Sequence, residues 1–174
     1  MNARVEKALN DQIKLEASSS QFYLAMASWA ETQGLSGTAQ FMYMHSDEER
    51  FHMLKLVKFV NERGGTAVIP GLENPPAEFD SLQNVFSLLL EHELQVTDSI
   101  NNLVDVCLQE KDYTTHNFVQ WYVSEQLEEE ALARTILDKV SMIGEDKAGL
   151  YMFDRDLENS AIQGATVSDA GGNA

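Results

Sequence analysis

Apolar residues recur every three or four positions along most of this chain, in stretches far too long for strands. That period marks amphipathic helices. The first predicted helix runs from about Asn2 to Thr32, with Leu9, Ile13, Glu16, Tyr23 and Ala27 along one side. Gly34-Leu35-Ser36-Gly37 breaks the pattern, and Ser36 is placed to cap a second helix ending at Gly64-Gly65. Its inner stripe is Met42, His45, Glu49, His52, Leu56 and Phe59. A third helix begins at Asp80 or Ser81 and carries Phe86, Leu89, Glu93, Val96, Ile100, Val104 and Cys107. After a turn near Lys111, a fourth presents Phe118, Tyr122, Gln126, Glu129, Ala133 and Ile136 and ends at Gly144. A shorter fifth helix is expected over 147–159, and a disordered tail over 160–174.

Loop lengths set the topology. A helix of about 28 residues is ~42 Å long. Helices one and two, and three and four, are joined too tightly to be anything but antiparallel neighbours. The connection over 64–80 holds Pro70, Pro75 and Pro76. At ~3.3 Å per residue it can reach about 56 Å, enough to cross the bundle from end to end. The expectation is an all-α four-helix bundle with one long crossover. Leu150, Phe153 and Leu157 of the fifth helix have no evident place in a four-helix core already filled, which assigns that helix to assembly.

The stripes are interrupted at one level by acids. Glu49 and His52 are three apart and project from one helix face, so both can grip one metal ion. Glu16, Glu93 and Glu129 occupy similar mid-helix positions on the other three stripes. Four helices each bringing an acid to one layer describe a dinuclear metal site inside a bundle. Burying carboxylates without partners costs several kcal/mol. At 100° per residue, Lys14, Arg50, Lys55 and Lys58 point away from Glu16 and Glu49. Counter-charge must then come from outside the sequence, and four carboxylates balance two divalent cations with His52 neutral. Oxygen-rich ligation with one imidazole suits iron or manganese, and also zinc. Of Glu128, Glu129 and Glu130, Glu129 is the one centred on its stripe, while Glu130 pairs with Arg134. Tyr23 lies two turns from Glu16, within reach of redox chemistry, although packing is what an inward tyrosine ordinarily does. His45 is read as packed or supporting, and His92 and His116 as ordinary.

Composition narrows the partners. A formal charge of -16 argues against nucleic acid or an anionic membrane surface and suits attraction of cations. Cys107 is the single cysteine, so no intramolecular disulfide can form. The first seven residues lack the apolar run of a signal peptide, and nothing approaches the ~18 apolar residues of a membrane span. A soluble cytoplasmic protein is expected.

The stretch Asn117-Phe-Val-Gln-Trp-Tyr-Val-Ser-Glu-Gln-Leu-Glu-Glu-Glu130 resembles the fourth helix of the bacterial non-haem ferritins. Gly149-Leu-Tyr-Met-Phe-Asp-Arg-Asp156 resembles the start of their short fifth helix. The resemblance covers nearly the whole chain. It implies a ferritin-like bundle, assembly into a homo-oligomeric shell of 24 subunits, and a ferroxidase centre acting on Fe(II) and dioxygen, with ferric mineral stored inside. One iron would be held by Glu16, Glu49 and His52, and the second by Glu49 as bridge with Glu93 and Glu129. Gln126 would sit beside the second iron. A third iron site would use Glu48, Glu125 and Glu128, with Glu129 shared. Tyr23 and Trp121 match aromatic residues that are candidate electron donors.

Departures from related families carry information too. Bacterioferritins have a second Glu-x-x-His where this chain has Gln126-Leu-Glu-Glu129, and a haem-ligating Met where it has Arg50 and Phe51. No haem is expected. The acids that line the threefold channels of animal ferritins correspond to Asn117 and Gln120. The rival readings are a rubrerythrin-like di-iron oxidase or peroxidase, which would want a second His ligand and a cysteine module, and a twelve-subunit mini-ferritin, which lacks the fifth helix. A further alternative is a non-catalytic bundle that merely binds cations.

Overall fold

The computed structural model describes residues 1–170, with side chains described as far as Asn159. Five helices follow in order: α1 Ala3–Thr32, α2 Ser36–Glu62, α3 Leu82–Gln109, α4 Tyr113–Ile143 and α5 Lys147–Ala170. Among the described residues there is no strand. No helix there is long and apolar enough to cross a membrane.

Side chains start three of the helices. Asn2 accepts from the Arg4 amide, Ser81 from that of Asn84 and Asp112 from that of Thr115, each satisfying a donor of the first turn. The start of α2 differs from expectation. Ser36 is already helical, and the cap position, Leu35, has no side-chain bond to give. The amides of Gly37 and Thr38 donate instead to Asp154 of α5, at 3.0 and 2.7 Å, and the Thr38 hydroxyl adds a third bond at 2.8 Å. Glycines in the left-handed region end the runs, with Gly64 at φ 73° and Gly144 at φ 60°.

α1 packs along α2 and α3, α3 along α4, and α5 lies mainly against α2. The crossover travels beside α1. Near its start, the amides of Thr66 and Val68 donate to side-chain oxygens of Glu6 and Asn10. Near its end, Phe79 packs against Phe22 and Trp29. It therefore spans most of the length of α1, as the loop length requires.

The core is two apolar blocks. One holds Val5, Leu9, Ile13, Leu56, Val60, Val96, Ile100, Leu103, Val119 and Tyr122. The other holds Tyr23, Met26, Met42, Phe86, Leu89, Ile136 and Val140. Between them, on every helix of the bundle, lies the layer of acids. Toward the end holding Val5 the inward positions shift by one residue, to Val60, Leu103 and Val119 in place of Phe59, Val104 and Phe118. Phe59 and Phe118 stack on each other at the half-buried margin, with ring centroids 3.7 Å apart. On α2 the shift is what a 3.6-residue repeat gives, since three turns beyond Glu49 reach Val60 and not Phe59.

α5 departs from expectation in two respects. Phe153 and Leu157 are buried in the second block, Phe153 edge-on to Phe86, so part of this helix belongs to the subunit core. The helix also runs to Ala170, past the end at Asn159, through a stretch with no proline to stop it. Of the expected disordered tail, residues 171–174 lie outside the described residues.

Candidate metal centre

Each helix brings its acid to the same level because apolar residues on either side of it along the same face, Ile13 and Tyr23, Met42 and Leu56, Leu89 and Val96, Tyr122 and Ala133, pack into the two blocks of the core. Glu16, Glu49, His52 and Glu93 are each at most 5% exposed. One ligand atom each from Glu16, Glu49 and His52 lies within 4.8 Å of the others. Nδ1 of His52 is 3.6 Å from Oε2 of Glu49 and 4.0 Å from Oε2 of Glu16. Those two carboxylate oxygens are buried and have no hydrogen-bond partner. Buried polar atoms are almost always satisfied, so this pair of orphans aimed at an imidazole calls for a bound cation.

The other oxygen of Glu16 is occupied. Gln12, itself 1% exposed, donates from Nε2 to Glu16 Oε1 at 2.8 Å, and the Ser99 hydroxyl donates to Gln12 Oε1 at 2.6 Å. Gln12 escaped the sequence reading, although a glutamine one turn before Glu16 among Leu9 and Ile13 was the available signal. Tyr122 donates to the His52 carbonyl at 2.9 Å, tying α4 to α2 beside the site.

Glu93 is held differently. The Tyr23 hydroxyl donates to Oε1. Gln126 Nε2 donates to Oε2 at 3.1 Å and to the Glu93 carbonyl at 3.0 Å. Glu129 faces His45, whose Nε2 is 3.5 Å from its Oε2. Nδ1 of His45 donates to the Phe41 carbonyl at 3.0 Å, so the ring meets Glu129 as a donor when it carries a second proton. His45, Glu48 and Glu129 form a second group whose ligand atoms lie within 4.8 Å. Glu125 and Glu128, expected beside Glu48, fall outside that group; Glu128 is exposed and Glu125 partly so. The charge of Glu125 does reach Glu48. His92 meets the Ser19 hydroxyl at 2.8 Å and packs on Phe22 and Tyr23.

The electrostatics are those of crowded, desolvated carboxylates. Burial, with the charge of Glu49 beside it, raises the Glu16 carboxyl well above the ordinary range. Burial likewise raises Glu49 to about 8, with the charges of Glu93, Glu129 and Glu48 adding to the effect. Glu93 is also raised by burial, against the bonds from Tyr23 and Gln126. For Glu129 burial acts upward too, but His45 more than offsets it and leaves this carboxyl low. His45 responds in kind: burial pushes its ring down and Glu129 brings it above the usual imidazole value. Among the described residues no Lys or Arg forms an ion pair with Glu16, Glu49, Glu93 or Glu129. Without a metal, protons carry the compensating charge. Two divalent cations would replace them.

Residues 6–143 match the family described as Ferritin-like domain. A bacterial non-heme ferritin-like protein of Haemophilus influenzae is 48% identical over 91% of this chain and 96% of its own length. The bacterial non-heme ferritin of Campylobacter jejuni is 43% identical over 93% of this chain and 97% of its own. An open pore ferritin of Archaeoglobus fulgidus superposes with a TM-score of 0.89 at 44% identity, covering 91% of this chain and 98% of that one. With a four-helix bundle, a long crossover and a buried carboxylate–histidine layer already in place, the chain belongs to the ferritin family.

Proposed function

We propose that the protein oxidises Fe(II) with dioxygen at the paired carboxylate site and stores the ferric product inside a homo-oligomeric shell of 24 subunits. The observation that carries this reading is the pair of orphaned, buried oxygens of Glu16 and Glu49 facing His52. Oxygen-rich ligation with a single imidazole suits iron, and relatives named as bacterial non-heme ferritins match the chain nearly end to end. In this reading Glu16, Glu49 and His52 take the first Fe(II). Glu49, as bridge, takes the second with Glu93 and Glu129.

The two irons are substrate, and together they supply two electrons to dioxygen. The protein's part is to hold them side by side on carboxylates that can reorient, and to exclude water. Glu93 must give up its bonds from Tyr23 or Gln126, and Glu129 its contact with His45, before either carries a full share of the second iron. The first seat is open and the second is held closed by protein groups, so filling is ordered. A third Fe(II), bound more loosely among Glu48, Glu125, Glu128 and Glu129, would supply further electrons.

Anaerobic Fe(II) titration followed by a single pulse of oxygen, read optically, tests this. Two Fe(II) per subunit should oxidise rapidly, the first binding more tightly. A chain that binds Fe(II) but consumes no oxygen would be a cation-binding bundle and would sink the ferroxidase reading. Glu128→Ala should leave the first two irons fast and change the oxygen stoichiometry or the recovery of the centre. If it matched the unmodified protein in both, the third seat would have to be dropped.

A further inference from the structure

Trp121 stands directly behind the first iron seat. Its ring packs edge-on against His52, with centroids 5.2 Å apart at 78°, and against Tyr122 at 4.8 Å. An oxidant formed from dioxygen at His52 thus has an electron-rich indole one ring contact away. That indole also carries a cation: Nζ of Lys55 lies 3.2 Å from the centroid of the Trp121 ring. Lys55 follows His52 by three residues on α2, so helix geometry sets the ammonium and the ligating imidazole on one side and both meet the same residue of α4. Among aromatic faces, Trp is the most favourable for a cation.

We propose that Lys55 is a positioning residue that guards Trp121 against one-electron oxidation, directing the electron demand of dioxygen to iron and Tyr23. The proposal rests on the ferroxidase reading of the site. Reduction of dioxygen to two waters takes four electrons and four protons; the paired irons supply two of the electrons, the third Fe(II) and one side chain supply the other two, and the protons come from water. If Trp121 gave one of the others, that electron would pass to partly reduced dioxygen and leave an indole radical cation. The new positive charge would arise beneath an ammonium already in place, turning an attraction into a repulsion. Tyr23 is arranged the opposite way. Its hydroxyl donates to Glu93, so an electron leaving the phenol can be accompanied by its proton passing to that carboxylate, and the side chain ends neutral.

Lys55→Met removes the charge and keeps most of the stem, while Lys55→Arg keeps a cation that stacks on aromatic faces. The unmodified protein and both variants are carried through repeated cycles of anaerobic Fe(II) loading and an oxygen pulse. Oxidised Trp121 is then measured by peptide mass spectrometry, with Trp29, the other tryptophan, as internal reference. Freeze-trapped radicals are assigned to indole or phenol by electron paramagnetic resonance. A second arm uses no iron: azide radical, a one-electron oxidant, is generated by pulse radiolysis in the metal-free protein. Lys55→Met should raise oxidised Trp121 by about threefold or more in both arms, and Lys55→Arg should stay at the unmodified level. Equal oxidation of Trp121 with and without Lys55 in the iron-free arm would overturn the proposal. So would a rise in that arm with none during iron turnover, because Trp121 would then not be a target of the site. A protein that oxidises no iron would overturn the ferroxidase reading and the guarding role with it, and the iron-free arm would decide on the contact alone.

Discussion

At the scale of single residues, Glu49 concentrates the chemistry. It is 3% exposed, keeps an unpaired oxygen and faces both His52 and the charges of Glu93 and Glu129. Glu49→Ala should abolish rapid Fe(II) oxidation while leaving a folded protein, since it removes one charge from a repulsive cluster. Stopped-flow oxidation with circular dichroism checks both halves, and retention of half the rate or more would rule out bridging. Gln12 acts one step back. Its bond to Glu16 Oε1 leaves Oε2 as the oxygen free for metal. Gln12→Leu should therefore weaken the first metal equivalent roughly 10- to 100-fold, the usual effect of losing a partner to a ligand. Competitive titration with Co(II) measures this directly. The sequence marked Glu16 because a carboxylate on an apolar stripe is costly, and it passed over Gln12 because a neutral amide raises no such alarm.

At the scale of elements, the unexpected feature is the bond between α5 and the start of α2. The helix over 36–62 lacks a side-chain cap of its own and borrows Asp154 from more than a hundred residues away. No local pattern could reveal that, because capping residues are sought next to the helix they cap. Asp154→Ala should cost about 0.5–2 kcal/mol, the range for a lost cap. Gly37 is the other half of the joint: a Cβ there would meet the Asp154 carbonyl oxygen at 1.8 Å. Gly37→Ala must therefore push α5 off α2, and thermal melting should register a loss at least as large as that of Asp154→Ala. Truncation after Ile143 should do more than impair assembly. Removing Phe153 and Leu157 uncovers the block around Phe86, so the melting temperature of the subunit should fall as well. An unchanged melting temperature, with only the shell lost on sedimentation, would return α5 to a purely assembling role.

At the scale of the whole molecule, the acid layer divides the core and sets its pH dependence. Glu49 titrates near 4.5 in the unfolded chain and at about 8 when folded and metal-free. Between those values the folded protein holds a proton that the unfolded chain has released. Stability from this group is complete below about 4.5 and is lost as pH rises toward 8, by at most ~1.4 kcal/mol per pH unit. Glu16 and Glu93, raised by burial as well, act in the same direction. Metal-free protein should melt at progressively lower temperature from pH 5 to pH 8, and Glu49→Gln should flatten the trend. Metal binding displaces these protons, so a divalent cation should restore stability most at the alkaline end. A metal-free protein equally stable at pH 5 and pH 8 would contradict the assignment.

The sequence alone determined the four long helices, their pairing and the crossover, because a 3.6-residue period and loop reach are local quantities. It also singled out the acids of the buried layer, since charges on apolar stripes are too costly to be incidental. What only the tertiary structure decided is who touches whom across helices. Gln12 and Ser99 hold Glu16, Tyr23 and Gln126 hold Glu93, His45 faces Glu129, and Lys55 covers Trp121. Each pairing joins side chains brought together by helix rotation and packing, to within an ångström or so. Periodicity fixes which face a residue occupies, but contact depends on the register between helices, and that is set by the fit of the whole core.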